Sequence, residues 1–266
     1  MSLMIFNIRS SSSGNASYIG DENEGILIDC GCTAKCITGC LHEVGLRPES
    51  IRAILITHEH SDHISGVKVL AKRLDAPIYA TEATLDYMRC KSRLPENSKT
   101  YPISPAESFF IGSLEVLPFS IPHDAADPVG YRIFAKGHSA SFVTDLGYFP
   151  KRLFDVVRGS DFLLIESNHD LDMLQSTALY PMCLKKRILS RKGHLSNPTC
   201  AENVIKLCQS GSRHILLGHL SQNTNTYEIA YHTTLEALQQ ANAEENVDYT
   251  LHVARHDAHS KIYQLE

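Results

Sequence analysis

The segment His58-Glu59-His60-Ser61-Asp62-His63 brings three imidazoles and the Asp62 carboxylate within six residues. It follows the apolar run AILIT, and a helical pattern begins at His63. Neutral imidazole is the commonest metal ligand and the usual acid or base near pH 7. In a loop at the end of a strand, two histidines two residues apart can grip one cation. Asp62 and His63, on the following turn, can point at a second. Four more polar residues sit in the same kind of place: Asp29 after GILI, His123 after FSIP, Asp145 after SFVT and His219 after ILLG. Any one alone reads as a turn residue or cap. Together, beside the H-x-H-x-D-H loop, they read as one metal-binding constellation.

Several elements must carry these residues. Short β-type runs come first (MIFNI, ASYIG, GILIDC), with the serine-rich stretch Ser10–Asn15 as a tight loop between the first two. A helix is expected from Thr33 to Gly45, a strand at AILIT, and a helix from His63 to Leu74 on its 3.6-residue apolar spacing. PIYA reads as a strand and Glu82–Leu94 as a helix. The middle is strand-rich (SLEVLPFSI, GYRIFAK, SASFVTD), and DFLLIE is a further strand. Asn197-Pro198 starts a helix that Gly211 can end. HILLG is a strand, Thr226–Ala241 a long helix, and YTLHVAR with SKIYQLE a final hairpin. The two halves repeat the same order, which suits two sheets back to back with helices outside.

Composition sets the outer bounds. The 266 residues are 43% hydrophobic and 21% charged, which excludes a disordered chain, a coiled coil or a collagen-like fibre. Fourteen histidines outnumber both the 11 tyrosines and the 9 phenylalanines. The net charge of −5 lacks the basic coat of a typical nucleic-acid binder, so any attraction for phosphate must come from a local patch or bound cations. No run approaches the roughly 18 apolar residues of a membrane span, and a cytoplasmic protein with free thiols is expected. Cys30, Cys32, Cys36 and Cys40 lack zinc-knuckle spacing and read as small half-buried thiols rather than a structural zinc site.

The motif and its satellites resemble the metallo-β-lactamase superfamily over essentially the whole chain, 1–266, read as one catalytic domain. SSSGNASYI, LIDCG, THEHSDHISGV, IPHDAADPVGYRI, TDLGY, LIESNHD, YPMCLKKRILSRKGHLSN and LLGHLSQNTN are together similar to its YycJ/WalJ-type exonuclease branch. The resemblance implies an α/β fold, the αβ/βα four-layer sandwich. It also implies two divalent transition-metal ions, zinc or manganese with iron tolerated. His58, His60 and His123 would hold the first and Asp62, His63 and His219 the second, with Asp145 bridging. Asp29 would orient the loop by hydrogen bonds. Cys30 and Cys32, directly after Asp29, depart from the small or apolar residues expected there, which raises oxidation sensitivity or an extra soft ligand.

Such a metal pair suits phosphodiester hydrolysis, because it activates water, binds phosphoryl oxygens and neutralises developing charge. Asp62, where one group of lactam hydrolases has cysteine, turns the reading away from β-lactams; it can bind metal and orient or deprotonate the attacking water. By similarity to nucleases of this fold, His194 would assist at a phosphoryl or leaving oxygen and Glu166 would hold the His194 tautomer. Lys185, Lys186, Arg187, Arg191 and Lys192 form either a solvated helix face or a track for a nucleic-acid backbone. His169, beside Asp170 and close after Glu166, would line the substrate side. His252, His256 and His259 lack surrounding carboxylates and read as structural. Only 73 residues separate Asp145 from His219, too few for the large inserted domain of the RNA-processing relatives. The expected activity is a metal-dependent 5′-to-3′ exonuclease acting on DNA. The alternatives are a thioesterase or lactonase acting on a small metabolite, and a non-enzymatic metal-binding protein. Oligomeric state is not legible.

Overall fold

A computed structural model describes residues 2–266. One seven-stranded sheet contains β1 (Leu3–Ser11), β2 (Gly14–Gly20), β3 (Gly25–Ile28), β4 (Ile51–Leu55), β5 (Ile78–Thr81) and β6 (Thr100–Ile103). The second contains β7 (Phe109–Ile111), β8 (Leu114–Ser120), β9 (Val129–Ala135), β10 (His138–Val143), β11 (Phe162–Glu166), β12 (His214–Gly218) and β13 (Thr250–Val253). A last strand, β14 (Tyr263–Leu265), returns to the first sheet beside β1. The helices are α1 (Ala34–Glu43), α2 (Ser61–Ile64), α3 (Val67–Leu74), α4 (Glu82–Cys90), α5 (Lys151–Val157), α6 (Leu171–Ser176), α7 (Met182–Ile188), α8 (Asn197–Gln209) and α9 (Tyr227–Gln240). No helix among the described residues is long and apolar enough to cross a membrane.

Side-chain alternation builds three apolar layers from these elements. Along β1, Leu3 and Ile5 face the space between the sheets, while Met4, Phe6 and Ile8 face the outer layer with Ile37 and Leu41 of α1 and Leu70 of α3. Along β11, Phe162 and Leu164 enter the space between the sheets. Leu163 and Ile165 pack outward with Val204 and Leu207 of α8 and Leu238 of α9. Strands buried on both faces carry continuous apolar runs, which is why GILI and FLLI read as unbroken hydrophobic stretches. The result is the expected four-layer αβ/βα sandwich.

Strand direction then places the site. β3, β4, β5 and β6 run parallel, as do β10, β11, β12 and β13. Parallel neighbours present their carboxyl ends side by side, where sites of α/β sheets gather. Asp29, the His58–His63 loop, Asp145, Glu166 and His219 all lie at such ends.

Three local expectations are corrected. The tail is not a hairpin: β13 pairs in parallel with β12, and β14 pairs antiparallel with β1, because each finds an open edge on a different sheet. The helix expected over His63–Leu74 is broken into α2 and α3 at Ser65-Gly66. The Gly66 N–H bonds to the Cys30 carbonyl, and a Cβ there would lie 2.1 Å from the Cys32 oxygen, so the chain must bend around that strand end. The serine-rich loop is tighter than expected: Ser11 pairs with Gly14, leaving only Ser12-Ser13 as the turn. The strands β6 and β7 had no counterpart in the sequence reading.

Candidate active site

The loop after β4 is held open by Asp29. Its Oδ1 accepts from the Thr57 backbone N–H (2.8 Å) and its Oδ2 from His63 Nδ1 (2.7 Å). Glu59 reaches the other way, its Oε1 accepting from the Ala126 N–H (2.8 Å) and tying the His123 loop to this one. Asp29, Asp145 and His219 all have positive φ (60°, 62° and 54°). Each turns the chain sharply off a strand end, a strained arrangement common where side chains are aimed at a site.

Two sets of side chains converge. His58, His60 and His123 form one group, and Asp62, His63 and His219 another. His58 and His63 also group with Asp145, which lies between the sets: its Oδ2 is 3.2 Å from His63 Nε2 and its Oδ1 is 3.4 Å and 3.8 Å from His219 and His123 Nε2. His58 Nε2 lies 3.1 Å from His60 Nδ1, which lies 3.2 Å from His123 Nε2. Nitrogen ligands about 2.0–2.1 Å from one tetrahedral ion stand about 3.3–3.4 Å apart, so this spacing suits a shared cation.

The outward nitrogens explain the orientation. His58 Nδ1 meets Thr57 Oγ1 (3.0 Å), His123 Nδ1 the Gly193 carbonyl (3.3 Å), and His219 Nδ1 the Glu166 carboxylate (2.8 Å). An acceptor on the outer nitrogen fixes the proton there and leaves the inner lone pair for a metal. Asp145 Oδ2, fully buried, accepts no hydrogen bond at all. A buried carboxylate oxygen that faces imidazole nitrogens and has no hydrogen-bond donor is suited to bind a cation. The residues therefore fit divalent metal ions.

Electrostatics point the same way. Burial alone would raise the Asp145 carboxyl, but His219 and His63 hold it well below the usual range. Burial would lower His219, yet Asp145, Asp62 and Glu166 push it up to about 10. Burial, joined by His63, keeps His58 well below its ordinary value. The carboxylates set up a field that draws positive charge into the cluster.

Glu166 is fully buried and accepts four hydrogen bonds. Oε1 takes His194 Nδ1 and His219 Nδ1, both at 2.8 Å, and Oε2 takes the Leu146 and Leu195 N–H groups, both at 3.0 Å. The sequence reading tied Glu166 to His194 alone; it also orients His219.

The profile of the β-lactamase superfamily domain matches residues 25–220. Exodeoxyribonuclease WalJ of Streptococcus pneumoniae serotype 2 is 36% identical over 260 residues, spanning 97% of this chain and 96% of that protein. The chain belongs to the metallo-β-lactamase superfamily, in its WalJ/YycJ branch. Exodeoxyribonuclease YycJ of Bacillus anthracis is 34% identical over 235 residues, 88% of each chain. The metallo-β-lactamase fold protein YhfI from Bacillus subtilis superposes with a TM-score of 0.71 at 16% identity, covering 99% of this chain and 100% of that one, a likeness of fold.

This WalJ/YycJ-type chain opens its metal cluster to solvent through a cavity of about 280 Å³ lined by Ser12, Asp62, Asp145, Arg187, His194 and His219, among others. Of the basic run, only Arg187 lines it, and its guanidinium is held by Asp124 (Nη2–Oδ1 3.0 Å). Lys185 instead donates to the Gln175 carbonyl, Arg191 lies over the Tyr148 ring, and Lys186 is exposed. His169 does not line the cavity: it is 1% exposed and bridged to Ser196. Its carbonyl accepts from the Asn197 N–H (2.9 Å), which ties it to the start of α8. Among the described residues no three cysteines form a metal-binding group, and burial pushes the Cys30 thiol well up, against a role as thiolate ligand. Nor do His252, His256 and His259 join any such group.

Sequence reasoning missed Asn15 and Asp124. Asn15 Nδ2 lies 3.1 Å from His63 Nε2 and 3.4 Å from Asp62 Oδ2. The Asn15 in SSSGNAS gave no signal beyond a turn. Gly31 is the other hidden requirement. A Cβ there would lie 1.6 Å from the Asp62 carbonyl oxygen and 2.6 Å from the Asn15 nitrogen. Gly31→Ala is therefore expected to push Asp62 away from His219. Elemental analysis should show reduced metal content in protein whose circular dichroism stays native-like; full metal content would refute the tight-approach argument.

Proposed function

We propose that this chain is a two-metal phosphodiesterase, a 5′-to-3′ DNA exonuclease, acting as a single catalytic domain over residues 1–266 in the cytoplasm. The end-to-end similarity to WalJ and YycJ, both named exodeoxyribonucleases, carries the reading. His58, His60 and His123 would hold one ion and Asp62, His63 and His219 the other, with Asp145 between the two sets available to both; zinc or manganese is the proposed metal. Bound there, the ions would activate water and polarise phosphoryl oxygens.

The chain's own residues do the rest. The Asp62 side chain, 20% exposed, keeps Oδ2 toward His63 and His219 while it faces the cavity, so it can orient a water and take its proton. His194 binds Glu166 through Nδ1, which leaves Nε2 for a phosphoryl or leaving oxygen. Lys185, the exposed Lys186 and Arg187 are consecutive on α7, and Arg187 lines the cavity while paired with Asp124, so the local basic charge beside the site is that of this short run. Contacts from such a run position a strand without reading its sequence.

End-to-end similarity to two exodeoxyribonucleases favours this reading over a small-metabolite hydrolase. Metal-supplemented protein given 5′- and 3′-labelled duplex DNA, RNA and a thioester in parallel should degrade DNA from the 5′ end. Turnover of the thioester alone would overturn the proposal. In the same assay His194→Ala should slow cleavage about 10²–10⁴-fold with metal content unchanged. Loss of metal with an undiminished rate per ion would refute the role given to His194.

A further inference from the structure

Beside the metal cavity lies a second one of about 200 Å³, bounded by Ser10, Ser11, Leu220, Gln222, Tyr227 and His256. The two share a wall. Ser10 lines the second cavity while its Oγ accepts the His219 backbone N–H (2.8 Å), and Ser11 forms a β-bridge with Leu220. Ser12, the next residue, lines the metal cavity. A bound strand with its phosphate over Asp62 and His194 would pass the Ser11–Ser13 turn and meet this recess next.

We infer that the recess is a stacking site for one nucleobase of the substrate strand, with Tyr227 and His256 as its aromatic platform. The inference rests on the nucleic-acid reading above. Tyr227 and His256 lie nearly parallel (14° between ring planes, centroids 5.8 Å apart), and the Tyr227 hydroxyl contacts His256 Nδ1. The Arg255 guanidinium, held by both Asp257 oxygens (3.0 and 3.2 Å), sits 4.6 Å over one face of the Tyr227 ring and helps to fix it. Two nearly coplanar rings side by side make a flat aromatic surface of the kind on which single-stranded nucleic acids stack, because every base has a π-face. No carboxylate lines the recess. At the rim, the Gln222 amide donates to Ser13 Oγ (2.9 Å), so the same side chain spans from the recess to the turn beside the metals. A volume of about 200 Å³ is below that of a drug-sized pocket and takes one ring system, not a whole nucleotide. The position also gives a use to His256, a histidine outside the metal cluster. Its loop is carried across to β1, where the Arg255 carbonyl accepts from the Ser10 N–H (3.5 Å).

The test uses single-stranded oligonucleotides, intact or with one abasic residue at each of the three terminal positions, and wild-type, Tyr227→Ala and Tyr227→Phe proteins. In wild type, one abasic position should lower kcat/KM about tenfold, mainly through KM, in keeping with base–aromatic stacking. Tyr227→Ala should collapse the intact-to-abasic ratio at that position toward one, and Tyr227→Phe, which keeps the ring, should preserve it. An unchanged ratio in Tyr227→Ala overturns the site. If Tyr227→Ala fails to fold, the wild-type scan decides: no position-dependent loss overturns it. Wild type that digests no oligonucleotide, intact or abasic, removes the nucleic-acid reading itself and the base site with it, an outcome distinct from uniform digestion of all of them.

Discussion

Asp62→Ala should lower DNA turnover about 10³-fold or more while the protein stays folded. The effect is large because three features meet at this one carboxylate. Its Oδ2 stands 3.3 Å from His219 Nε2 and 3.4 Å from His63 Nε2, so it completes one ligand set. It lines the open cavity, where a water would be oriented. It also stays ionised: burial alone would raise its pKa, but His63 and His219 bring it well below the usual carboxylate range. The fold should survive because Asp62 sits on the rim of a four-residue helix, outside the three apolar layers. Elemental analysis of wild type should give close to two transition-metal ions per chain, and of the variant close to one. A variant with two ions and near-normal turnover would refute the assignment of Asp62 to the second ion; wild type with none after metal-replete expression would sink the two-metal reading altogether.

Glu166→Gln should damage both stability and catalysis, although it changes one atom in a side chain with no solvent exposure. The carboxylate accepts from two backbone N–H groups and two imidazoles. An amide keeps one acceptor oxygen and turns an NH₂ toward donors. If the oxygen stays with Leu146 and Leu195, the NH₂ faces His194 and His219 Nδ1, and those rings must change tautomer or turn. Removing one partner from a buried charge network costs about 3–5 kcal/mol. Loss of a group that orients a metal ligand typically costs 10–100-fold in metal affinity or activity. A lower denaturation midpoint, weaker retention of one ion and at least about a hundredfold slower cleavage are expected together. Stability lost with catalysis intact would show Glu166 to be a core residue only.

Both predictions turn on residues that the sequence could nominate but not connect. Asp62 was legible because its neighbours His58, His60 and His63 are local: a six-residue motif carries its own spacing. Glu166 was legible only as the last residue of an apolar strand, and its second partner, His219, lies 53 positions away. Asn15 and Asp124 gave no signal, since a turn asparagine and a loop aspartate are ordinary until the fold sets one against His63 and the other against Arg187. The basic run left two readings open for the same reason, a solvated helix face or a track for a backbone; in the fold only Arg187 of that run lines the cavity over the metal ligands.

By itself, the sequence determined what depends on local periodicity and residue chemistry: the apolar strand runs, the helical spacings, the strand ends carrying polar residues, and the metal-binding loop. Those properties are fixed by residue spacing and backbone preference over a few residues. The tertiary structure alone decided what depends on which strand lies beside which. It sent β13 and β14 to different sheets, because each edge had an open row of hydrogen-bonding groups and a matching apolar face. It brought Asp29, Asp145, Glu166 and His219 to one rim, because parallel neighbours end on the same side. It also set the Ser11–Ser13 turn between two cavities, a juxtaposition of residues some two hundred positions apart that no local pattern could announce.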